Sequence, residues 1–262
     1  MRLNSANINV MLKACSKASK VLIRDFGEIE KLQVSLKGPG DFVTASDKKV
    51  EKILIEELEK ARPNYSILSE EAGEIKKNDQ EFRWIIDPID GTLNFLHGIP
   101  HFAISIALEH QGKIISGVIF DPIKNELFSA EKGNGSYLNN QRMRVSSRKN
   151  LKDSILFTGG PKFDSKDRDK SFKEYMKISE TVMAPIRKLG SASLDMAYVA
   201  AGRCDVFWQR NLNYWDIAAG IILISEAGGF VTDFKGNDEY IKNKTLLATN
   251  SKISKEIIEL LN

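Results

Sequence analysis

The chain has 262 residues, of which 42% are hydrophobic and 28% are charged, so it is long enough to bury a sizeable core and is expected to be globular. Its 38 Lys and Arg against 35 Asp and Glu leave a net charge of +3, which is too small and dispersed for the basic surface of a direct nucleic-acid binder. No stretch has the length and apolar character of a signal peptide or a membrane span, so we expect a cytoplasmic protein with no membrane partner.

The first sixty residues predict two amphipathic helices. Apolar residues recur every three or four positions over residues 8–26, and the pattern ends at Gly27. Cys15 lies within this stripe, and neither it nor Cys204 has the spacing of a disulfide or zinc motif, so both are predicted to be small buried hydrophobes. A second stripe covers residues 50–61, with Asp47 at the start of its helix.

Short extended segments follow, and each runs into acidic residues. Residues 66–68 precede Glu70 and Glu71, and residues 84–86 precede Asp87 and Asp90. The segments FAISIALE, IISGVIFD and ELFSAEK then predict an antiparallel meander, because turn residues separate them. The sequence therefore places carboxylates at strand ends in an α+β half that covers residues 1–150.

The second half, residues 151–262, predicts alternating strands and helices. Strands are expected at 155–158 and 205–208, and helices at about 167–181, 194–201 and 216–227, with one further strand between the first two helices. No repeat, low-complexity tract or linker separates the two halves. We therefore expect a single domain, residues 1–262, with one continuous core.

The most informative stretch is WIIDPIDGTLNF, residues 84–95. An apolar strand delivers Asp87 and Asp90 into a Pro/Gly turn, and such carboxylates suit Mg²⁺, which binds hard oxygen ligands together with substrate phosphate. Gly91 lets backbone amides approach an anion closely, and a helix beginning at Thr92 would point its positive end at a phosphate. An isolated Asp-Pro or Asp-Gly pair, in contrast, is more often an ordinary turn.

The stretch DPIDGT followed by Asn94 and Phe95 resembles the central motif of the inositol monophosphatase family. Further segments occur in that family's order: DFVTASD at 41–47, SEE at 69–71, GSASLD at 190–195, WDIAAG at 215–220 and EAGG at 226–229. The resemblance covers nearly the whole chain. It implies the layered αβαβα sandwich of the inositol monophosphatase and fructose-1,6-bisphosphatase group, and a homodimer.

The resemblance also implies the metal ligands. Glu70, Asp87 and the carbonyl of Ile89 would hold one Mg²⁺, while Asp87, Asp90 and Asp216 would hold a second, with a third and weaker site near Glu70. Two metals can clamp the attacking and the leaving oxygen of an in-line displacement. Glu70 is therefore expected to take part in catalysis as well as in metal binding.

The resemblance assigns the orientation of the water nucleophile to Thr92 backed by Asp47. The local pattern alone favours a helix cap for Thr92 and a first-turn acid of its own helix for Asp47, and these roles are compatible with the catalytic ones. Glu71 follows Glu70 in an extended segment and should point away from the metals. Substrate contacts are implied for the following residues: Lys37, Asp90, Gly91, Thr92, Gly190, Ser191, Ala192, Gln209 and Asp216.

Gln209 departs from the family pattern. The family commonly carries a glutamate seven residues before the WD aspartate, where it accepts hydrogen bonds from inositol hydroxyls. An amide keeps hydrogen-bonding capacity but loses the charge-assisted part. The substrate is therefore less sharply indicated than the reaction.

The predicted function is Mg²⁺-dependent hydrolysis of a small polyol phosphate, inositol 1-phosphate first. Two alternatives stay open. One is a phosphatase of the same fold that acts on histidinol phosphate, a 3′-phosphorylated nucleotide or fructose 1,6-bisphosphate. The other is a partner in transcription or ribosomal RNA maturation, as bacterial relatives of the family are. Such a scaffold would have no reason to keep all the catalytic carboxylates, and this chain has them.

Overall fold

The structure is a computed structural model that describes residues 4–28, 34–38, 41–160 and 166–262; of residues 34–38 and 41–43 it describes the backbone only. The side chain of Lys37 therefore lies outside the described residues.

Both predicted N-terminal helices are confirmed. Helix α1 covers Ala6–Phe26 and helix α2 covers Ala45–Ala61, with a hairpin of β1 (Val34–Gly38) and β2 (Asp41–Thr44) between them. Thr44 caps α2 through its hydroxyl, and Asp47 closes the capping box, so the polar start of the α2 pattern has a direct structural reason. The apolar stripes of both helices pack on one face of the large sheet.

The large sheet has eight strands: β3 (Tyr65–Ser69), β4 (Gly73–Ile75), β5 (Asp79–Asp90), β6 (Ala103–His110), β7 (Lys113–Asp121), β8 (Glu126–Glu131), β9 (Gly135–Leu138) and β10 (Gln141–Met143). Their spatial order is β10-β9-β8-β7-β6-β5-β3-β4. The predicted antiparallel meander is confirmed in β6, β7 and β8. A short helix, α3 (Thr92–Leu96), leaves the end of β5.

The second half contains β11 (Leu156–Thr158), α4 (Arg168–Ser179), α5 (Ala192–Ala200), β12 (Val206–Arg210), α6 (Tyr214–Glu226), β13 (Gly229–Thr232), α7 (Tyr240–Asn243), β14 (Thr245–Asn250) and α8 (Ser254–Leu261). The sheet order is β11-β12-β14-β13, in which β11 and β12 are parallel. The prediction of a strand between α4 and α5 is wrong, because that segment makes only an isolated bridge between Phe157 and Arg187. Pro185 lacks the backbone donor that would extend the pairing.

The core is arranged in five layers. Helices α1 and α2 cover the outer face of the large sheet, α5 and α6 lie between the two sheets, and α4 and α8 cover the small sheet. The central layer packs closely, because a Cβ added at Gly117 of β7 would lie 2.8 Å from Ile222 Cγ2 and 3.0 Å from Ala219 Cα. Cys15 and Cys204 are both buried, as predicted. These layers confirm the αβαβα sandwich.

Candidate active site

A bulge in β5 brings two carboxylates to the same face of the large sheet. Asp87 pairs with Ser105 of β6, whereas Asp90 pairs with Ala103, so β5 carries one residue more than its partner across this interval. In a regular strand, residues three positions apart point to opposite faces. The extra residue restores the common face, and Asp87 and Asp90 are both buried there.

Asp87 lies at the centre of a cluster of carboxylates from three parts of the fold. Glu70 follows β3, Asp90 ends β5 and Asp216 lies in the first turn of α6. Burial raises the pKa of Asp87 well above its usual range, and the charges of Glu70, Asp90 and Asp216 raise it further. The structure thus brings together the four carboxylates that the sequence assigned to metal binding.

Helix α5 holds Asp90 in place. Its Oδ2 atom accepts hydrogen bonds from Ser191 Oγ at 2.5 Å, Ser193 N at 2.7 Å and Ser193 Oγ at 2.5 Å, and its Oδ1 atom accepts one from Ala192 N at 3.3 Å. Burial raises the pKa of Asp90, and the bonds from Ser191 and Ser193 oppose that shift. Ser193 was not among the predicted site residues, although its hydroxyl in the GSASLD segment was a visible signal.

The predicted pairing of Thr92 with Asp47 is present. Thr92 Oγ1 lies 3.1 Å from Asp47 Oδ1 and 2.9 Å from the carbonyl oxygen of Ile89. The other oxygen of Asp47 accepts from the Thr44 amide at 2.7 Å and the Thr44 hydroxyl at 2.5 Å. Asp47 is fully buried, which raises its pKa, while the hydrogen bonds from Thr44 and Thr92 counteract that rise. The capping and catalytic interpretations of Asp47 are therefore compatible.

Helix α2 also supports the turn that carries Glu70. Glu51 lies one helical turn after Asp47 and is buried. Its Oε1 atom accepts from the amides of Glu71 at 3.0 Å and Ala72 at 3.1 Å, and it contacts the Ser69 hydroxyl. Sequence reasoning missed Glu51; its spacing of four from Asp47 was the available signal.

Asn94 joins the turn after β5 to the segment that precedes α5. Its Nδ2 atom donates to the carbonyls of His101 and Leu189, both at 2.7 Å. Gly190 adopts φ +89°, and a Cβ there would lie 2.9 Å from Asn94 Nδ2, so both the backbone conformation and the space require glycine. This buried amide thus connects the site residues of the two halves, in addition to the hydrogen bonds from α5 to Asp90.

The carboxylates are held by protein donors in this structure. Asp216 Oδ2 accepts from the Asn213 amide at 2.7 Å as part of the α6 capping box, and Asp90 is held by α5 as described above. In the described ranges, no three His, Cys, Asp or Glu side chains are arranged so that they could hold a metal ion as they stand. The cluster contains only oxygen donors, which is the donor type that Mg²⁺ prefers.

The predicted ring-binding residues lie in two places. Gly190, Ser191 and Ala192 adjoin Asp90, whereas Gln209 is the last residue but one of β12 and packs against Gly159. Gly91 is the left-handed N-cap of α3, so Thr92 begins the helix as expected. Among the described residues, no helix is long and apolar enough to cross a membrane.

Comparison with known proteins matches this arrangement to one family. The sequence profile of the inositol monophosphatase family matches residues 4–262. The chain is 52% identical over 257 residues to an inositol-1-monophosphatase of Rhizobium meliloti, covering 98% of this chain and 96% of that protein. It is 39% identical over 251 residues to the Nus factor SuhB of Escherichia coli K12, covering 96% and 94% of the two chains.

A solved structure agrees. The extragenic suppressor protein SuhB of Bartonella henselae superposes with a TM-score of 0.95 at 50% identity, covering 98% of this chain and 99% of that chain. The match spans the elements that carry the carboxylate cluster and those that carry Thr92 and Asp47. The chain belongs to the inositol monophosphatase family.

Proposed function

We propose that this chain is a Mg²⁺-dependent phosphatase that hydrolyses the phosphate monoester of a small polyol, with inositol 1-phosphate as the first candidate. The convergence of four carboxylates around buried Asp87 is the observation that carries the proposal. Buried like charges raise one another's pKa and remain ionised together only beside a balancing cation. A relative named inositol-1-monophosphatase at 52% identity supports the same reaction.

The residues present fit the metal. Glu70, Asp87, Asp90 and Asp216, with the Ile89 carbonyl, would hold two Mg²⁺ ions, and a third and weaker ion would lie near Glu70. When bound, Mg²⁺ supplies charge stabilisation for the phosphate oxygens and lowers the pKa of a bound water. The number of ions is part of the proposal.

The protein's own part in proton transfer falls to Thr92 and Asp47. The Thr92 hydroxyl would orient an attacking water by accepting its hydrogen bond. Its own hydrogen has two acceptors within reach, Asp47 Oδ1 at 3.1 Å and the Ile89 carbonyl at 2.9 Å, and it would be donated to Asp47 when the carbonyl holds a metal ion. Thr44 fixes the opposite oxygen of Asp47, so the carboxylate cannot rotate away from Thr92. The amides of Gly91 and Thr92, with Lys37, are proposed to bind the phosphate.

The polyol would lie between the segment at Gly190 and the end of β12. Gln209 is its proposed hydrogen-bonding partner, with an amide where the family commonly has a carboxylate. Hydrogen bonds to charged groups contribute about 1.5–3 kcal/mol and neutral ones about 0.5–1.5 kcal/mol. We therefore expect Gln209→Glu to raise kcat/KM for inositol 1-phosphate, relative to glycerol 2-phosphate, by roughly tenfold.

That ratio is measured on both proteins under saturating Mg²⁺. A ratio that stays level or falls would show that position 209 does not contact the ring. Histidinol phosphate, a 3′-phosphorylated nucleotide and fructose 1,6-bisphosphate belong in the same assay, because enzymes of this fold acting on them are the nearest alternatives.

Phosphate release from this panel, with Mg²⁺ and with excess EDTA, tests the reaction class. We expect turnover with Mg²⁺, its loss in EDTA and its recovery when Mg²⁺ is restored. Full turnover in excess EDTA would contradict the proposal. Inhibition by lithium is expected if the weaker ion site matches the family, and light scattering should report a homodimer of twice 29.4 kDa.

A second role as a transcription partner is favoured by one observation, the 39% identity to a protein named Nus factor SuhB. Both roles can reside in one chain, because the catalytic carboxylates are retained. Binding of the purified protein to transcription elongation complexes, measured for the wild type and for Asp90→Asn, tests this role. Equal binding by both would separate it from catalysis, and no binding by either would exclude it.

A further inference from the structure

The pairing of the parallel strands β11 and β12 ends at Thr158 and Trp208, at one edge of the small sheet. Thr158 pairs with Trp208, so Gly159 and Gln209 are the next residues along each strand. Thr158 Oγ1 donates to the Trp208 carbonyl at 2.7 Å and accepts from the Gly160 amide at 3.2 Å. These two bonds hold the chain at Gly159 beside Gln209.

The side chain of Gln209 lies directly over Gly159. A Cβ added at Gly159 would lie 2.1 Å from Gln209 Oε1, 2.3 Å from Cδ and 2.5 Å from Nε2. The φ of Gly159 lies outside the left-handed region, so its backbone conformation does not require glycine. The missing side chain at 159 is therefore the space that the Gln209 amide occupies.

The backbone of Gln209 and the residue that follows it are both held in place. The backbone of Gln209 pairs with Leu246 of β14, and the adjacent Arg210 is held by Glu174 through Nε to Oε2 at 3.0 Å and a second, shorter contact. Glu174 is buried and paired with Arg210. The backbone of Gln209 and its neighbour Arg210 are thus fixed, while the amide end of the Gln209 side chain lies against Gly159.

This edge adjoins the proposed active site. The Thr158 amide donates to the Arg187 carbonyl at 3.0 Å, and four residues after Arg187 comes Ser191, whose hydroxyl binds Asp90. Ligands of open α/β sheets bind beyond the carboxyl ends of the parallel strands. Under the proposed function, the Gln209 amide lies on the side of the site where the polyol of a substrate held at Asp90 would extend.

We infer that Gly159 is a positioning residue for substrate selectivity that acts through Gln209. Because Gly159 has no side chain, the Gln209 amide has room for the orientation that recognises the hydroxyls of a polyol phosphate. The inference rests on the proposed function. It predicts that a methyl group at position 159 changes substrate selectivity while the fold is kept, because the colliding atoms are the far end of a flexible side chain.

The test is a double-mutant cycle with Gly159→Ala, Gln209→Ala and the double variant. The readout is kcat/KM for inositol 1-phosphate divided by that for glycerol 2-phosphate, under saturating Mg²⁺. We expect Gly159→Ala to lower the ratio roughly three- to tenfold, the loss of one neutral hydrogen bond. Gln209→Ala should lower it equally, and the double variant should fall no further.

Gly27→Ala is the matched control, because Gly27 is exposed and has φ −71°; it should leave the ratio unchanged. If Gly159→Ala leaves the ratio level or raises it while Gln209→Ala lowers it, the inference is overturned. A fall caused by Gly159→Ala in both backgrounds also overturns it, since the effect would not pass through Gln209.

Failure of the underlying proposal gives different results. If Gln209→Ala leaves the ratio unchanged, position 209 does not recognise the polyol and this inference is overturned. Mg²⁺-dependent turnover would still support the proposed reaction class. A wild type with no turnover of any phosphate ester would instead reject the proposed function itself. A crystal structure of Gly159→Ala should show the Gln209 amide displaced over an unchanged β11.

Discussion

Asp87 and Asp90 share one face because β5 has a single extra residue between them. This register places the carboxylate of Asp90, a candidate metal ligand, beside that of Asp87. Hydrogen bonds from α5 keep the Asp90 carboxylate in a fixed orientation. Replacing the Asp90 carboxylate by an amide of the same size should remove the charge while leaving the packing intact.

We expect Asp90→Asn and Asp216→Asn each to lower kcat by several orders of magnitude, because each removes a charged ligand proposed for the same metal. Circular dichroism should confirm that the variants are folded. Asp233→Asn, an exchange of the same kind at a buried carboxylate held by the turn after β13, is the control for general damage. Near-normal turnover by folded Asp90→Asn or Asp216→Asn would refute their assignment.

His101 makes stability depend on pH. Burial first, and then the charge of nearby Lys124, lower the pKa of His101 from 6.5 to about 4. Between these values the unfolded chain binds more protons than the folded chain, so the free energy of unfolding falls as the pH falls through 6.5 towards 4.

We therefore expect lowering the pH from 7 to 5 to reduce Tm more in the wild type than in His101→Gln. His97→Gln is the matched control, since His97 is exposed on the same loop, and it should follow the wild type. Parallel Tm curves for the wild type and His101→Gln would contradict this explanation.

At the scale of the element, one face of α2 serves two parts of the site. Asp47 contacts Thr92, and Glu51, one turn later, accepts the amides after Glu70. Groups that orient metal ligands typically affect metal affinity 10–100-fold when removed.

We expect Glu51→Ala to raise the Mg²⁺ concentration for half-maximal activity about tenfold, with a matching loss of Mg²⁺ affinity by calorimetry. Glu51→Gln keeps an oxygen that can accept both amides, so it should restore most of the affinity. If both variants lose equal affinity, the charge of Glu51 matters rather than its support of the turn. Unchanged affinity in Glu51→Ala would remove the residue from the site.

For the whole molecule, the central helices join the two halves in one core cluster. Residues of β6 and β7 pack with α5, α6 and residues of β12 and β14. We therefore propose that residues 1–262 unfold as one unit. A single calorimetric transition whose van't Hoff and calorimetric enthalpies agree, corrected for dimer dissociation, is expected; two separated transitions would divide the chain into domains.

The sequence predicted the amphipathic helices, the meander and the carboxylate cluster because these depend on local periodicity and on a long specific motif. The bulge at Asp87 to Asp90 was not predictable, since pairing register depends on the partner strand. The roles of Glu51 and Asn94 were not predicted, because they arise from contacts with distant segments. The segment around Arg187 was predicted as a strand because its apolar pattern does not reveal that Pro185 lacks a backbone donor.

The contact between Gly117 and α6 has a mechanical consequence. Ala219 and Ile222 meet β7 at Gly117, and Ala219 lies three residues, about 4.5 Å along the axis, from Asp216. Gly117 is thus the point at which β7 contacts α6 close to the turn that carries Asp216. A side chain at position 117 would collide with Ala219 and Ile222 and push the start of α6 away from the sheet. We therefore expect the glycine to influence the distance between Asp216 and Asp87.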